Sequence, residues 1–297
     1  MSNTNSSTVF YRTLNVEGLE IFYREAGPEG APTILLLHGF PSSSHMFRNL
    51  IPLLAGEYHV VAPDLPGYGE SSAPPVNGFE YSFEQFATVT DKFVEKLNLS
   101  SYALYLSDIG ASVGFHLAVM HPERVTAMIV QNADAYVEAI NKEFLKTGLL
   151  DYWGDRNEKN ARVLLNWLLT IEGTKWHYLH GVRDPSKISP DSWVIDQAYQ
   201  DRPGNKDIQL EILYNAKRNL DAYAHWQEYF RRQQPPMLVA WGKNDGIFTV
   251  AGAELFKRDI PSAEIHLLDT GHFALEEELD RIGSLMQEFL DRTIKNK

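Results

Sequence analysis

The sequence contains no cysteine, which excludes disulfide bonds and thiolate chemistry. It also has no long hydrophobic run, since apolar stretches such as Thr33–Leu37 are far shorter than the roughly 20 residues that span a bilayer. Basic residues are few, 27 against 39 acidic ones. The resulting net charge of −12 disfavours nucleic acid and anionic membranes as partners. These absences leave as the expectation a globular protein that binds neither nucleic acid nor a membrane.

The chain has enough apolar residues for a large core. Its 297 residues are 44% hydrophobic and 22% charged, which suits one α/β domain with an insertion or two domains. Residues 1–8 are polar and lack both the basic and the apolar segment of a secretory signal, which predicts a cytoplasmic location. The oligomeric state stays open, with a homo-oligomer included.

Predicted strands alternate with predicted helices in two parts of the chain, residues 1–134 and 235–297. This alternation indicates an α/β fold with a mostly parallel sheet flanked by helices. Residues 135–234 differ, because they read as helical and contain five of the six tryptophans. An aromatic-rich helical insertion between two core strands predicts a cap over a pocket.

A carboxylate stands where a strand turns into a helix. Tyr102–Leu106 is a run of strand formers and residues 110–121 have helical spacing, with Asp108 between them. A sharp elbow that presents a nucleophile needs small residues close behind it, and Gly110 supplies one. Ser107 would place an isoleucine where glycine is needed, and Ser112 lies inside the helix. Asp108 is therefore the predicted nucleophile; its alternative role is to cap the following helix.

An aspartate nucleophile implies a different reaction from a serine. A serine attacks carbonyl carbon and leaves an acyl-enzyme. A carboxylate that attacks an ester would form an anhydride, which is uphill. Attack on saturated carbon bearing a strained or weakly basic leaving group is favourable and gives an alkyl-enzyme ester.

Two later loops supply partners for this nucleophile. Asp245 follows the predicted strand 237–241, and His272 follows the strand 263–268. The carboxyl ends of parallel strands gather at one edge of the sheet, so these side chains are expected to converge with Asp108. His272 then serves as general base and Asp245 as the acid that orients it. Asp134, after the strand 125–130, is the rival for the acid.

The loop after Thr33–Leu37 predicts an oxyanion hole. Gly39 allows a sharp turn, so that the backbone amide of Phe40 joins that of Ile109 as a donor. The preceding His38 is expected to be structural. The segment 64–71 lacks the third glycine of a dinucleotide fingerprint, and the sequence has no Walker lysine and no His-Glu-x-x-His pair. No cofactor-binding or metal-binding residues are therefore predicted.

These motifs together resemble the α/β-hydrolase superfamily, in particular its aspartate-nucleophile branch of epoxide hydrolases and haloalkane dehalogenases. The segments that carry the resemblance are His38-Gly-Phe-Pro41, Asp64-Leu-Pro-Gly-Tyr-Gly-Glu-Ser71, Ser107-Asp-Ile-Gly-Ala111, Gly242-Lys-Asn-Asp245 and Gly271-His272. The resemblance implies an eight-stranded core with a helical cap, cofactor-free hydrolysis and a covalent alkyl-enzyme intermediate.

Three positions depart from the dehalogenase patterns. Haloalkane dehalogenases typically carry Trp after the nucleophile, where this chain has Ile109, and Phe40 offers no side-chain donor in the neighbouring loop. Fluoroacetate dehalogenases carry arginines at the positions of Ile109 and Ser112. The resemblance to epoxide hydrolases implies that cap tyrosines protonate the opening epoxide. The candidates for this role are Tyr214, Tyr152 and Tyr136.

The sequence thus predicts a hydrolase whose substrate is a small, largely apolar organic molecule, an epoxide that is opened to a diol. A haloalkane dehalogenase shares the same triad and stays an alternative, as does an ester or lactone hydrolase. A non-enzymatic ligand receptor on this fold is the alternative of a different class, and it would not need nucleophile, acid and base together.

Overall fold

The computed structural model describes residues 8–295. The prediction that residues 1–8 hold no signal sequence falls, except for Thr8, outside the described residues. The strands are β1 Phe10–Val16, β2 Leu19–Ala26, β3 Thr33–Leu37, β4 His59–Pro63, β5 Tyr102–Ser107, β6 Val125–Gln131, β7 Met237–Gly242 and β8 Glu264–Leu268. The helices are α1 Leu50–Leu54, α2 Phe83–Lys96, α3 Ile109–Met120, α4 Lys142–Leu145, α5 Leu149–Gly154, α6 Glu158–Leu165, α7 Ile171–Leu179, α8 Pro190–Gln200, α9 Asn205–Asn215, α10 Asn219–Gln233, α11 Val250–Asp259, α12 Ala274–Glu277 and α13 Leu279–Leu290.

The strands form one eight-stranded sheet in the order β1-β2-β4-β3-β5-β6-β7-β8. β1 and β2 form an antiparallel hairpin, and β2 pairs antiparallel with β4. The pairs from β4 through β3, β5, β6 and β7 to β8 are parallel. The mostly parallel sheet places the carboxyl ends of β3, β5, β6, β7 and β8 at one edge.

The central strands form because their residues are apolar on both faces. β3 from Ile34 onward, β4, β5 and β7 are buried along their length, as expected of parallel strands covered by helices on both sides. Two hydrophobic clusters, one on each face of the sheet, make up the core. The strands that precede the functional loops are therefore held rigidly.

Local sequence signals explain where α2 begins. Ser82 has extended backbone, and its hydroxyl accepts a hydrogen bond from the Gln85 amide at 3.2 Å. The side chain thus satisfies one of the free amides at the helix start. The buried residues Phe86, Phe93 and Val94 then place one face of α2 against the sheet.

The segment between β6 and β7 is helical and contains α4 to α10. It lies over the carboxyl edge of the sheet and contacts the loops there: Asn219 donates to Ser112 Oγ at 2.8 Å, and Asn205 donates to the Gly67 carbonyl at 3.0 Å. We call residues 137–233 the helical segment. Within residues 8–295, no helix combines the length and the apolar character needed to cross a membrane.

Candidate active site

Asp108 lies at a strained elbow between β5 and α3, with a φ of +50° and a ψ of −124°. This region of backbone space disfavours a residue with a side chain, and such strain gathers at functional sites. Two glycines make the turn fit. A Cβ on Gly110 would lie 2.4 Å from the Leu37 carbonyl oxygen, and one on Gly39 would lie 2.6 Å from the Asp108 Cβ.

The carboxylate of Asp108 is held by the two predicted oxyanion donors. The Phe40 amide donates to Oδ1 at 2.7 Å, and the Ile109 amide also donates to the carboxylate. Burial raises the pKa of Asp108, whereas His272 and the two amides lower it, and the charge of Asp245 raises it again. The net effect is a raised pKa, because few polar groups replace water around this carboxyl.

His272 is oriented by Asp245. Its Nδ1 lies 2.9 Å from Asp245 Oδ2, and since an ionised carboxylate only accepts, Nδ1 carries the proton. The neutral ring therefore leaves Nε2 free as a base. Nε2 lies 3.8 Å from Asp108 Oδ2, which is too long for a direct hydrogen bond. The structure thus brings together Asp108, Asp245 and His272 at the carboxyl edge of the sheet.

The electrostatics of His272 suit a base that becomes charged during a reaction. Burial lowers the pKa of His272, but the charge and hydrogen bond of Asp245 and the charge of Asp108 outweigh burial. The net pKa is raised. The two carboxylates therefore favour the imidazolium that forms when the ring takes up a proton.

Asn132 is a functional residue that sequence reasoning missed. Its Nδ2 donates to Asp245 Oδ2 at 2.9 Å and to the Gly242 carbonyl at 3.1 Å, while its Oδ1 accepts from the Gly242 amide at 2.8 Å. Its own φ is +42°. Together with the Ile247 amide, 2.7 Å from Asp245 Oδ1, it fixes the acid in place. Its position one residue past β6 is the only sequence signal for this role.

A small cavity of about 90 Å³ opens above Asp108, between the sheet edge and the helical segment. Most of its wall is apolar, with contributions from Phe144, Leu149, Trp153 and Leu213. Such a wall fits an apolar ligand that reaches the carboxylate.

One corner of this cavity is polar. Asp134, the predicted rival for the triad acid, does not bond to His272; it accepts a hydrogen bond from the Tyr223 hydroxyl of α10. Asn219, one helical turn before Tyr223, also donates to Asp134. All three line the cavity. Burial raises the pKa of Asp134 to about 6; the hydrogen bond from Tyr223 opposes this shift, and the charge of Asp108 adds to it.

The three candidate tyrosines do not line the cavity. Tyr214 lies beneath two basic groups, with the Lys217 ammonium 3.6 Å from its ring centre. Tyr152 packs edge-on against Tyr214 with ring centres 5.7 Å apart. The residues of α5 that face the cavity are Leu149 and Trp153. Tyr136 donates to Asp259 at 3.0 Å beside α11.

A second histidine lines the cavity. His177 of α7 directs Nδ1 at the Gly173 carbonyl, 2.8 Å away, so that nitrogen carries the proton. Burial and the nearby His272 lower the pKa of His177 to about 4. It is therefore neutral at physiological pH, with Nε2 unprotonated.

The neighbouring loop residues are structural. His38 Nε2 accepts from the Leu65 amide at 3.0 Å, and burial lowers its pKa to about 4. Asp64 accepts from the amides of Ser44 and Glu70 at 2.7 and 2.8 Å, which closes the tight loop over residues 64–71. Over the described part of the chain, no group of three or more acidic, histidine or cysteine residues has the arrangement of a metal site.

Comparison with known proteins places the chain in a family. A family model described as alpha/beta hydrolase fold matches residues 32–279, and the chain belongs to this family. The predicted α/β-hydrolase fold and superfamily are thereby confirmed. The protein is a hydrolase of the α/β fold.

Individual relatives agree with this assignment. An uncharacterized hydrolase of Saccharomyces cerevisiae is 40% identical over 276 residues, which cover 92% of this chain and 94% of that protein. A haloalkane dehalogenase of Bradyrhizobium diazoefficiens is 38% identical over 117 residues, 39% of this chain and 37% of that protein. The crystal structure of haloalkane dehalogenase DbeA from Bradyrhizobium elkani has a TM-score of 0.83 at 21% identity, covering 98% and 100% of the two chains. At that identity the structural match shows the fold alone.

Proposed function

We propose that this protein hydrolyses a small apolar epoxide to a diol through a covalent ester on Asp108. The observation that carries the proposal is the arrangement of the Asp108 carboxylate. One oxygen is held by a backbone amide of the predicted oxyanion hole, and the other faces a histidine that Asp245 orients.

The first step uses the carboxylate alone. Oδ1 is fixed by the Phe40 amide, which leaves Oδ2 as the attacking atom. Attack on a ring carbon of the epoxide opens the strained ring and gives an alkyl ester. No base is needed, because Asp108 is already ionised when it attacks.

The second step uses the histidine. Neutral His272 takes a proton from water through Nε2, and the resulting hydroxide attacks the ester carbonyl of Asp108. The charge that develops on Oδ1 is stabilised by the amides of Phe40 and Ile109. Asp245 stabilises the imidazolium. Collapse of the tetrahedral intermediate releases the diol and restores the carboxylate.

The polar groups of the cavity favour an oxygen leaving group over a halide. A departing halide needs hydrogen-bond donors but no proton. The side chains of Ile109 and Phe40, which lie next to the nucleophile, offer no such donor. An opening epoxide needs a proton for its oxygen. The cavity contains a hydroxyl and a carboxyl in contact, those of Tyr223 and Asp134.

The cavity volume restricts the size of the substrate. An apolar cavity of about 150 Å³ binds benzene, so a cavity of about 90 Å³ favours small ligands. A short terminal epoxide such as 1,2-epoxybutane therefore suits this volume better than 1,2-epoxyhexane or styrene oxide.

Dehalogenation is the second candidate, and the relatives favour it. The dehalogenase of Bradyrhizobium diazoefficiens is 38% identical to part of this chain. The same nucleophile, acid and base would serve a halide leaving group equally well.

Trapping of the intermediate tests the proposal. His272→Gln removes the base of the second step but not the nucleophile, so the ester should accumulate. The variant is exposed to 1,2-epoxybutane, 1,2-epoxyhexane, styrene oxide, 1-bromobutane and a short β-lactone, and its intact mass and peptides are measured. We expect the mass of one epoxide to be added on the peptide that contains Asp108.

The matched control is His266→Gln on β8, which removes a half-buried imidazole outside the cavity and should turn over without accumulating adduct. An adduct with 1-bromobutane and none with any epoxide would establish the dehalogenase. An adduct with the lactone alone would establish lactone hydrolysis. Absence of any adduct would overturn the covalent mechanism and favour a ligand receptor.

A further inference from the structure

The polar corner of the cavity contains a carboxyl group that lacks a cationic partner. Asp134 is 8% exposed and Tyr223 is 3% exposed, and the phenol hydroxyl donates to Asp134 Oδ2. Across residues 8–295, no basic side chain forms an ion pair with Asp134; its other side-chain donor is the neutral amide of Asn219. An uncompensated buried carboxyl favours its protonated form.

A second tyrosine–aspartate pair differs from this one, because its carboxyl group also has a cationic partner. Tyr136 donates to Asp259 Oδ2 at 3.0 Å, and Arg231 donates to the other oxygen at 2.9 Å. The Arg231 guanidinium thus gives Asp259 a cationic partner. Asp134 has none among the described residues, and it lies in the cavity that contains the nucleophile.

The protonation of Asp134 decides the direction of its hydrogen bond with Tyr223. An ionised carboxylate only accepts, so the phenol hydroxyl points at it. A protonated carboxyl donates to the phenol oxygen instead, and the phenol hydrogen is then free to turn toward a ligand. Carboxyl and phenol in series form a relay that delivers one proton to the cavity.

We propose that Asp134 and Tyr223 form the acid that protonates the leaving oxygen when Asp108 opens the substrate ring. This assignment rests on the proposed function, because only an oxygen leaving group needs the proton. It gives the task expected of Tyr214, Tyr152 and Tyr136 to residues that line the cavity.

Ring opening conserves atoms, charge and protons. Asp108 Oδ2 forms a bond to carbon, the ring carbon–oxygen bond breaks, and its electron pair goes to the oxygen. Tyr223 gives its proton to that oxygen and takes the proton of Asp134, which becomes a carboxylate. In the second step His272 takes a proton from water. That proton returns to Asp134 through solvent when the diol has left, so the sum is epoxide plus water to diol.

Ring opening therefore needs two carboxyl groups in opposite states, Asp108 ionised and Asp134 protonated. The titratable groups that face Asp134 are Asp108 and Tyr223, and Asn219 is neutral. Burial raises the pKa of Asp134 to about 6. The rate of ring opening should thus rise with pH as Asp108 ionises and fall as pH increases through the pKa of Asp134.

Single-turnover alkylation in the His272→Gln background tests the assignment. The rate of adduct formation is measured by mass spectrometry with 1,2-epoxybutane and with 1-bromobutane, from pH 4.5 to 8.5. General acids contribute roughly 10²–10⁴ in rate, so Tyr223→Phe should slow the epoxide reaction by about 10². Asp134→Asn should slow it by at least about tenfold and abolish the fall at higher pH. Bromide departure needs no proton, so its rate should change less than about threefold in both variants.

Tyr136→Phe is the matched control, because it removes a hydroxyl from the other tyrosine–aspartate pair; neither rate should change. Equal slowing of both substrates in Tyr223→Phe, or unchanged epoxide rates in both variants, would overturn the acid assignment while the adduct still supports the proposed function. If 1-bromobutane does not react, the assignment is tested by the pH dependence of the epoxide rate alone. An epoxide rate that still falls at higher pH in Asp134→Asn overturns the assignment. No adduct in the parent variant would overturn the proposed function and this assignment together.

Discussion

The two walls of the cavity are built from different structures and carry different groups. One wall consists of turns at strand ends and holds Asp108, and His272 lies behind it with Nε2 3.8 Å from Asp108 Oδ2. The other comes from the helical segment and is apolar except for Tyr223, Asn219 and His177. Under the proposed function, the strand-end wall supplies the nucleophile and the base behind it, and the helical wall shapes the substrate and meets its leaving group.

This contrast separates two kinds of control over one reaction. Groups on the strand-end wall are each held by backbone amides or by a carboxylate, so their geometry is set by the sheet. On the helical wall, Tyr223 and Asn219 are held by side chains, those of Asp134 and Ser112. We therefore expect changes in the first wall to abolish a chemical step and changes in the second to alter which substrate reacts.

The largest effect is expected for Asp108→Ala. Loss of the nucleophile should lower turnover by at least about 10⁴-fold, measured as diol release. Because burial raises the pKa of this carboxyl, its charged form costs free energy of folding, and the variant should melt at the same or a higher temperature. Substantial residual turnover, or a large fall in melting temperature, would contradict the role given to this wall.

Asn132→Ala should impair the second step more than the first. A hydrogen bond to a charged group is worth ~1.5–3 kcal/mol, which corresponds to roughly 10- to 100-fold in rate. Breakdown of the ester should slow by that factor while its formation changes little, so alkyl-enzyme should accumulate in a stopped reaction. Asn132→Gly is the control, because it removes the same bond without the cost of an alanine at a φ of +42°. Accumulation in neither variant would show that Asp245 needs no such support.

Leu213→Ala tests whether the helical wall controls which substrate reacts. Removing its side chain enlarges the cavity, and one methylene in a pocket is worth ~1–3 kcal/mol of discrimination. The ratio of kcat/KM for styrene oxide to that for 1,2-epoxybutane should rise by about tenfold. Leu210→Ala changes a buried leucine of the same helix that does not line the cavity, and it should leave the ratio unchanged. An equal change in both variants would mean that the effect comes from the stability of α9.

The smallest effect on turnover is expected at the contact between α7 and α8 of the helical segment, where the change is one of stability alone. Asp196 of α8 is fully buried and accepts from the Tyr178 hydroxyl at 2.5 Å; burial raises its pKa to about 8. Between pH 4 and 8 the folded chain holds a proton that the unfolded chain releases, so the free energy of unfolding falls as pH rises, by up to about 1.4 kcal/mol per pH unit. Asp196→Asn should remove this contribution, measured by denaturant unfolding at pH 5 to 8. The exposed Asp191→Asn is the control, and an unchanged slope in Asp196→Asn would show that Asp196 is ionised throughout.

The strand-end wall could be predicted from sequence because each of its residues follows a strand. Burial on both faces makes β5 and β7 recognisable as apolar runs, and parallel strands bring their carboxyl ends together. Asp108, Asp245 and His272 were placed by this reasoning alone. Asn132 escaped it, because nothing in the sequence shows that a residue past β6 bonds to a loop more than a hundred positions later.

The helical wall could not be predicted in the same way. α9 carries apolar residues on more than one side, among them Ile208, Leu210, Ile212 and Leu213, so its spacing does not reveal which side faces the cavity. Tyr223 is therefore missing from the candidates Tyr214, Tyr152 and Tyr136 that the resemblance to epoxide hydrolases implies. The spacing of Asn219 and Tyr223, one turn apart on α10, was the available signal, but its meaning depends on the position of Asp134 across the cavity.

The close approach of Gly39 to the Cβ of Asp108 has a consequence for how such proteins change their chemistry. The backbone positions the Cβ, and every residue with a short polar side chain shares that atom. Under the proposed mechanism, Asp108→Ser would put a hydroxyl on the same Cβ near the same imidazole, and attack on carbonyl carbon would replace attack on saturated carbon. The side chain at position 108, and not the backbone around it, would then decide which type of carbon is attacked.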